Sequence, residues 1–264
     1  MLVILKRDKD EVNHQAAQLI ASAIKKKPAL TLGLATGNTM VGLYQQLVRL
    51  HKQGAIDFSN VVTFNLDEYL GLPPSHPQSF RHFMLETLFR HINVQPRNIH
   101  IPDGTISGNY DQYCASYEKA IRDAGGIDVQ LLGIGRNGHI GFNEPTSSLA
   151  SRTRLKVLSQ ETLDDNAKLF APGEASPQCA ITMGIGSILD ARKILLLATG
   201  ASKAEAVAKS ISGPVTSAVP ASALQLHPDV TFLLDGPAAS QLTKRAYYER
   251  VLKMTALLTP EKLS

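Results

Sequence analysis

Residues 29–39 read ALTLGLATGNT, an apolar run that ends in small polar residues. Apolar residues that do not alternate with polar ones are typical of a strand buried on both faces. The segment from Thr39 to His51 then shows apolar residues at helical spacing. The stretch therefore predicts a strand, a loop and a helix in succession, which is the unit from which parallel sheets are built.

The same alternation of strands and helices continues along the chain. Other apolar runs predict strands over residues 2–5, 61–66, 129–135, 179–184, 193–199 and 230–235. Helical spacing predicts helices over residues 9–26, 79–89, 110–124, 202–210 and 237–251. We therefore expect one α/β domain over residues 1–264, a Rossmann-like three-layer sandwich with a mostly parallel central sheet.

Composition narrows the class of partner. The 264 residues are 44% hydrophobic and 19% charged, with a net charge of +4 and no basic block, so we expect no nucleic acid partner. Cys114 and Cys179 indicate neither a disulfide framework nor a zinc cluster. The N-terminal apolar run is too short for a signal peptide, and no run reaches membrane-spanning length. We expect a reduced, cytoplasmic protein with no metal and no membrane association.

Four loops are the candidates for function. In a parallel α/β sheet, functional loops lie beyond the carboxyl ends of the strands. Four polar segments begin where a predicted strand ends, namely residues 35–39 (ATGNT), 66–73 (LDEYLGLP), 135–145 (GRNGHIGFNEP) and 199–203 (TGASK).

Three glycines at and just before the third loop suggest a dinucleotide-binding site. Gly133, Gly135 and Gly138 fit the Gly-x-Gly-x-x-Gly pattern, which should open a long helix that holds the pyrophosphate. Residues 139–145, HIGFNEP, contain glycine, asparagine and proline, so a long helix cannot begin there. We interpret the glycines as positions where the backbone turns sharply and approaches a ligand closely.

The third loop also carries groups suited to proton transfer. His139 carries an imidazole ring, which can both take and give a proton. Glu144 is five residues further on and can orient the imidazole, and Asn137 can add a hydrogen bond. A buried histidine with a purely structural role is the alternative interpretation.

An acidic pair, Asp67 and Glu68, ends an apolar strand. A solvated turn is the simpler interpretation of such a pair. The alternative is that Asp67 projects into a cleft, where partial desolvation would make it a base able to remove a proton from carbon beside a carbonyl.

Two loops are suited to a phosphate. Backbone N–H groups and hydroxyls at a helix start can bind an anion, and Lys203 of TGASK can add a positive charge. The residues at the first helix start are Thr36, Gly37, Asn38 and Thr39. An ordinary helix cap by Asn38 or Thr39 needs no ligand and is the alternative.

Taken together, the four loops resemble those of the glucosamine-6-phosphate deaminase family, in the same order. The stretches that carry the likeness are LATGNT, FNLDEYLGLP, GIGRNGHIGFNEP, SLASRTRLKVL and ATGASKA. The 6-phosphogluconolactonases of the same superfamily share the sheet and a glycine-rich loop with histidine, but normally lack the Asn-Glu-Pro ending and the Asp-Glu-Tyr strand end.

The resemblance implies a reaction and a set of site residues. That family converts glucosamine 6-phosphate and water to fructose 6-phosphate and ammonia. By position, Asp67 resembles the base that moves a proton from C2 to C1, His139 the group that assists ring opening, and Glu144 its carboxylate partner. The implied substrate ligands are Thr36, Gly37, Asn38, Thr39, Gly135, Lys168 and Lys203. This chemistry needs no cofactor.

Two positions depart from the pattern. Many relatives have aspartate where this chain has Asn137, which can orient an imidazole but cannot stabilise an imidazolium by charge. The resemblance matches Lys168 to an arginine that contacts phosphate in some relatives, and lysine keeps the charge without the bidentate geometry.

Regulation and assembly stay open at this point. Residues 152–170 are expected to cover the site as a lid. In a hexameric branch of the family an activator, N-acetylglucosamine 6-phosphate, binds at subunit interfaces, and the resemblance places Ser148, Arg154, Lys156 and Tyr247 in that site. Other branches are monomeric and unregulated, and exposed strand charges are the simpler interpretation of Arg154 and Lys156.

Three functions compete. The resemblance favours a deaminase acting on an amino-sugar phosphate, either glucosamine or its epimer galactosamine. A sugar-phosphate lactonase of the same fold and a non-catalytic sugar-phosphate sensor are the alternatives. Release of ammonia separates the first from the other two.

Overall fold

Strands and helices alternate along the chain in the computed structural model, which describes residues 1–167, 170–171 and 173–260. The strands are β1 Leu2–Lys6, β2 Thr31–Leu34, β3 Val62–Asn65, β4 Asp67–Tyr69, β5 Ile99–His100, β6 Val129–Leu132, β7 Arg154–Val157, β8 Cys179–Thr182, β9 Lys193–Ala198 and β10 Val230–Asp235. The α-helices are α1 Lys9–Lys26, α2 Asn38–Lys52, α3 Phe80–Thr87, α4 Tyr110–Asp123, α5 Gln160–Ala167, α6 Ile185–Leu189, α7 Ala204–Ser212 and α8 Arg245–Leu258. None of the helices in these described ranges is both long and apolar enough to cross a membrane.

A parallel sheet forms the centre of the protein. Within the described ranges it has seven strands in the order β1-β10-β9-β6-β2-β3-β5, and every neighbouring pair is parallel. All residues of β2, β6 and β10 are buried, as their unbroken apolar character predicts. The predicted α/β fold with a parallel central sheet is confirmed.

A smaller antiparallel sheet lies apart from the central one. It contains β4, β8 and β7 in that order, with Asp67 opposite Thr182 and Thr182 opposite Arg154. Residues 179–182 do form the predicted strand, but as the middle of this second sheet. The apolar run predicts that a strand forms there but not which partner it pairs with, because backbone hydrogen bonding carries no sequence signature.

The C-terminal helix begins later than predicted. The expected helix at 237–251 is wrong over its first part, since α8 covers Arg245–Leu258. The residues before this helix form turns instead, and the Asp235 carboxylate accepts a hydrogen bond from the Ala238 N–H at 2.8 Å. Sequence analysis also missed the short strands β4 and β5 and the helices α5 and α6, because each is too short to show a clear period. It gave no bounds for β7, although a strand was one interpretation of Arg154 and Lys156.

A buried carboxylate fixes the small sheet to the rest of the molecule. Glu118 of α4 accepts hydrogen bonds from the Thr153 N–H at 2.8 Å, the Thr153 hydroxyl at 2.6 Å and the Ser187 hydroxyl. Arg152 adds an ion pair to it at 2.7 Å. Burial works against the charge of Glu118, but these hydrogen bonds outweigh it and lower the pKa. The network holds the start of β7, and through β8 it supports β4.

Replacing Glu118 by glutamine should destabilise the fold. Glutamine keeps the shape and its oxygen can replace Oε1, but its amide N–H₂ then faces the Arg152 guanidinium, which loses both an acceptor and an ion pair. We expect a loss of about 1–3 kcal/mol in the free energy of unfolding, measured by urea denaturation at pH 7. Lys119→Ala, which removes an exposed ion pair to Asp123 on the same helix, is the control and should cost less than about 1 kcal/mol. Equal stability of the two variants would contradict the anchoring role.

Candidate active site

A cavity of about 490 Å³ opens at the carboxyl ends of the central strands. All four loops selected from the sequence contribute to its wall, as expected for a sheet of this kind. The lining residues are Ala35, Thr36, Gly37, Asn38, Thr39, Leu66, Asp67, Tyr69, Phe80, Gly133, Ile134, Gly135, Arg136, Asn137, His139, Gly141, Phe142, Glu161, Thr162 and Lys203. Asp67 and His139, which lie 72 positions apart in the sequence, therefore face one space.

The start of α2 forms one end of this cavity. The residue that caps the helix is Gly37, with φ of 103° and ψ of 168°, and no side chain in the described part of the chain caps it. A backbone in this region favours glycine, since it has no Cβ to clash. The ordinary cap by Asn38 or Thr39, the alternative considered above, is not the arrangement found. The first N–H groups of α2 are consequently directed to the cavity end, where an anion is stabilised by the helix dipole.

Lys203 reaches the same cavity from the loop after β9. Asp235, a buried residue at the end of β10, holds this loop, because its two carboxylate oxygens accept hydrogen bonds from the Gly200 N–H at 3.1 and 3.0 Å. The cavity thus combines the N-terminal end of a helix with a cation. Lys168, the other predicted phosphate ligand, lies outside the described residues.

Asp67 is a buried carboxylate in the cavity wall. It is the first residue of β4, and only 6% of its surface is exposed. Burial, with a smaller contribution from the charge of Glu68, raises the pKa of Asp67 to about 8. A carboxylate with such a pKa is a stronger base than usual, and it exchanges protons near neutral pH.

His139 is held by Asn137 in a defined tautomer. The backbone N–H of His139 donates to Asn137 Oδ1 at 3.1 Å, so the atom facing His139 is the amide oxygen. The imidazole Nδ1 lies 2.8 Å from the same oxygen and must therefore donate its proton there. This leaves Nε2 of the neutral ring unprotonated and able to accept a proton. The Asn137 amide N–H₂ in turn donates to Glu144 Oε2 at 2.9 Å.

Glu144 is the third member of this hydrogen-bonded group, after His139 and Asn137. Its Oε2 lies 3.5 Å from His139 Nδ1, and its Oε1 accepts a hydrogen bond from the Thr162 hydroxyl of α5. Burial acts to raise the pKa of Glu144, but the hydrogen bond and charge of His139, together with the bonds from Thr162 and Asn137, lower it to about 2. Glu144 is therefore a permanent negative charge at neutral pH, although it does not itself line the cavity.

The loop after β6 owes its shape to close packing against the histidine. A Cβ added to Gly135 would lie 2.2 Å from His139 Cε1, so only glycine fits beneath the ring. All of residues 133–153 are described, and they contain no helix. The prediction that no long helix follows these glycines is confirmed, which removes the structural basis of a dinucleotide site.

Several residues of the cavity were not anticipated from the sequence. Tyr69, Phe80 and Phe142 form an aromatic wall with ring centroids 4.7–5.8 Å apart. Glu161 and Thr162, from the first turn of α5, close another side. The sequence did point to Tyr69, because it directly follows the acidic pair Asp67 and Glu68. Thr162 had none, because a polar residue on a short helix resembles any solvent-facing residue.

The four predicted regulatory residues do not line the cavity wall. Arg154 of β7 donates a hydrogen bond to Asn143 Oδ1 at 2.9 Å and is half-buried, which gives it an internal structural partner. Lys156 lies on the same strand, Ser148 is exposed in the preceding loop, and Tyr247 is 61% exposed on α8.

Comparison with known proteins identifies the class. The family model described as glucosamine-6-phosphate isomerases/6-phosphogluconolactonase matches residues 7–232, and the chain belongs to this family. Among curated relatives, a glucosamine-6-phosphate deaminase of Shewanella loihica is 52% identical over 258 residues, 98% of this chain and 96% of the relative. Another of Thermoanaerobacter pseudethanolicus is 50% identical over 91% of this chain and 94% of the relative.

Solved structures agree with this assignment. A monomeric glucosamine-6-phosphate deaminase superposes with a TM-score of 0.87 at 46% identity, covering 91% of this chain and 99% of that one. A 6-phosphogluconolactonase of Trypanosoma brucei has a TM-score of 0.71 at 21% identity, covering 92% and 98%. The second likeness shows the shared fold alone.

The pKa of Asp67 predicts a pH-dependent effect on stability. In an unfolded chain the carboxyl group has a pKa of about 3.9. Between pH 4 and 8 the folded protein therefore retains a proton that the unfolded chain has lost, so stability falls as pH rises through this range. Asp67→Asn is neutral at every pH and avoids this loss. At pH 8 we expect its free energy of unfolding to exceed that of the wild type by about 1 kcal/mol or more.

Urea denaturation between pH 4 and pH 9 tests this expectation. The advantage of Asp67→Asn should shrink toward pH 4, below which Asp67 becomes protonated in both states. The control is Asp10→Asn on the exposed face of α1, which should stay within about 0.5 kcal/mol of the wild type throughout. An Asp67→Asn variant less stable than the wild type at pH 8 would contradict the raised pKa of Asp67.

Proposed function

We propose that the protein is a glucosamine-6-phosphate deaminase, which converts glucosamine 6-phosphate and water to fructose 6-phosphate and ammonia. The observation that carries the proposal is that Asp67 and His139 face one cavity, with an anion-binding end between α2 and Lys203. Relatives of about 50% identity that bear this name over nearly the whole chain support it.

The phosphate is the first group that the cavity would position. In the proposed complex it lies against the N–H groups and hydroxyls of residues 36–39, and Lys203 contributes a positive charge. Gly135 is a further proposed ligand through its backbone, and Lys168 keeps this role as a prediction. Anchoring the phosphate end of the hexose fixes its reactive carbons relative to Asp67. Holding the reacting groups in the right geometry in this way accelerates the reaction.

Ring opening is assigned to His139. Its Nε2 takes the proton of the anomeric hydroxyl and returns one to the ring oxygen, so that the pyranose becomes an open aldehyde. Asn137 keeps Nδ1 protonated, and Glu144 supplies negative charge near the imidazolium formed in this step. Asn137 itself contributes orientation only, because an amide carries no charge.

Isomerisation is assigned to Asp67. Its carboxylate removes the C2 proton, the aldehyde oxygen gains a proton in exchange for the one that the ammonium group gives up, and an enolamine forms. Delivery of the first proton from Asp67 to C1 then leaves an iminium at C2. Water adds to C2, the C–N bond breaks, and ammonia leaves with the ketone formed. The raised pKa of Asp67 suits this role, since a general base works best when its pKa lies near the working pH.

Assembly and regulation follow the solved relative in this proposal. That deaminase is monomeric at 46% identity, which supports a monomer for this chain over a hexamer. The internal hydrogen bond of Arg154 to Asn143 supports the structural interpretation of Arg154 over an activator site. Light scattering in solution, together with a substrate curve measured with and without N-acetylglucosamine 6-phosphate, tests both points. A hexamer with a sigmoidal curve that the activator removes would reverse this part of the proposal.

Ammonia release is the decisive test of the activity. The wild type should release ammonia from glucosamine 6-phosphate, and Asp67→Asn should lose turnover by about 10²–10⁴-fold, because the proton at C2 has no acceptor. Substrate binding, measured by calorimetry, should persist in the variant. Asp10→Asn should match the wild type.

Parallel assays discriminate the alternatives. Galactosamine 6-phosphate tests the epimer, and 6-phosphogluconolactone tests the hydrolase. A wild type that hydrolyses the lactone without releasing ammonia would reject the deaminase. Near-normal turnover of Asp67→Asn would reject Asp67 as the base while leaving the overall reaction in place.

A further inference from the structure

Glu68 is buried next to the proposed base, but its side chain lies on the opposite face of β4. Only 2% of its surface is exposed. Its Oε1 accepts hydrogen bonds from the backbone N–H groups of Tyr69 and Phe80, both at 2.9 Å. Its Oε2 accepts one from the backbone N–H of Arg81, also at 2.9 Å. Phe80 and Arg81 are the first two residues of α3, so the carboxylate sits at the positive end of that helix.

These contacts favour a charged Glu68. Burial leaves the pKa of Glu68 above its ordinary value, and the backbone N–H donors, the Ser79 hydroxyl and the helix dipole offset part of this rise. Asp67, in contrast, is the first residue of β4 and lies in the cavity wall, on the other side of the strand. When two neighbouring carboxyl groups compete for one proton, the group with more donors ionises first, and the other retains the proton to higher pH.

We propose that Glu68 is a positioning residue for the reaction, which acts in two ways. Its fixed negative charge keeps Asp67 strongly basic, and its hydrogen bonds hold Phe80 in the cavity wall. The proposal rests on the proposed deaminase activity, and it extends it, since the acidic pair then divides into one reacting group and one supporting group.

Two arginines lie near β4, and neither forms an ion pair with Asp67 or Glu68 among the described residues. The charge of Arg81 acts on Tyr117, and Arg154 donates its hydrogen bond to Asn143. The phenols of Tyr44 and Tyr117 face Asp67 from α2 and α4, and burial raises the pKa of both, so they stay neutral at working pH. The other titratable groups around the same cavity are Arg136, His139, Glu161 and Lys203. These line the open cavity, where water screens their charges, whereas Glu68 is buried in the strand that carries Asp67.

The pH profile of kcat/KM is the measurement that separates charge from structure. Asp67 must lose its proton to act as a base, so activity rises with pH through its pKa. Removing the charge of Glu68 makes that loss easier, and the acid limb of Glu68→Gln should move to lower pH by about 1 unit. Its plateau rate should fall several-fold, since the weaker base removes the C2 proton more slowly. Ionisation of the substrate is common to all variants and does not affect the difference.

Two matched variants serve as controls. Thr87→Val removes the bond from the Thr87 hydroxyl to the Phe83 carbonyl at 2.7 Å, at the other end of α3, without changing any charge or any donor to Glu68. It should leave the acid limb unmoved. Glu68→Asp keeps the charge but shortens the reach, and it should raise KM through displacement of Phe80 while the limb stays within about 0.3 units of the wild type.

The outcomes are distinct. A Glu68→Gln limb that coincides with those of the wild type and Thr87→Val overturns the proposal. If Glu68→Gln does not fold, a Glu68→Asp limb displaced by a full unit overturns it, and an unmoved limb with raised KM supports it. A wild type that releases no ammonia rejects the deaminase activity instead. In that case the pH dependence of unfolding still tests the coupling, because the stability advantage of Asp67→Asn should stop growing at a lower pH in a Glu68→Gln background.

Discussion

The parallel hydrogen bonding of β2 to both β3 and β6 is the constraint on which the site depends. It aligns the carboxyl ends of these strands, and the loops that follow them must therefore meet at one edge. Residues 36–39, the segment from Asp67 and the loop that carries His139 reach a common cavity for this reason. The apolar interior of the strands makes the register costly to change, since a slip would expose side chains that are now fully buried.

The two adjacent carboxylates show how environment divides the work between similar groups. Asp67 lies in a cavity wall that offers few hydrogen-bond donors. Burial therefore dominates and raises its pKa, which makes its carboxylate a stronger base. Glu68 meets three backbone N–H groups, two of them at a helix start, and is a structural acceptor. Glu144 represents a third case, in which donors outweigh burial and the group stays charged. Such separation of pKa values between neighbouring acids is common where proton transfer takes place.

The histidine loop combines rigidity with access. Gly135 leaves room for the imidazole, and Asn137 fixes its tautomer by offering an oxygen to Nδ1 and an N–H₂ to Glu144. Thr162 extends this chain of hydrogen bonds to α5, so the segment expected to act as a lid contacts the group behind the histidine. The position of the first turn of α5 and the orientation of the proposed ring-opening group are therefore physically connected.

The sequence by itself determined the class of fold and the four loops, because unbroken apolar runs and helical spacing are local properties that survive without knowledge of neighbours. It also indicated Asp67, Asn137, His139, Glu144 and Lys203 as candidates, and the resemblance assigned their proposed roles. Only the tertiary structure decided that β8 pairs with β4 rather than joining the central sheet, that Asp67 faces the cavity while Glu68 caps α3, and that Thr162 reaches Glu144. These features depend on strand partners and side-chain directions between segments far apart in the chain, which no local pattern encodes.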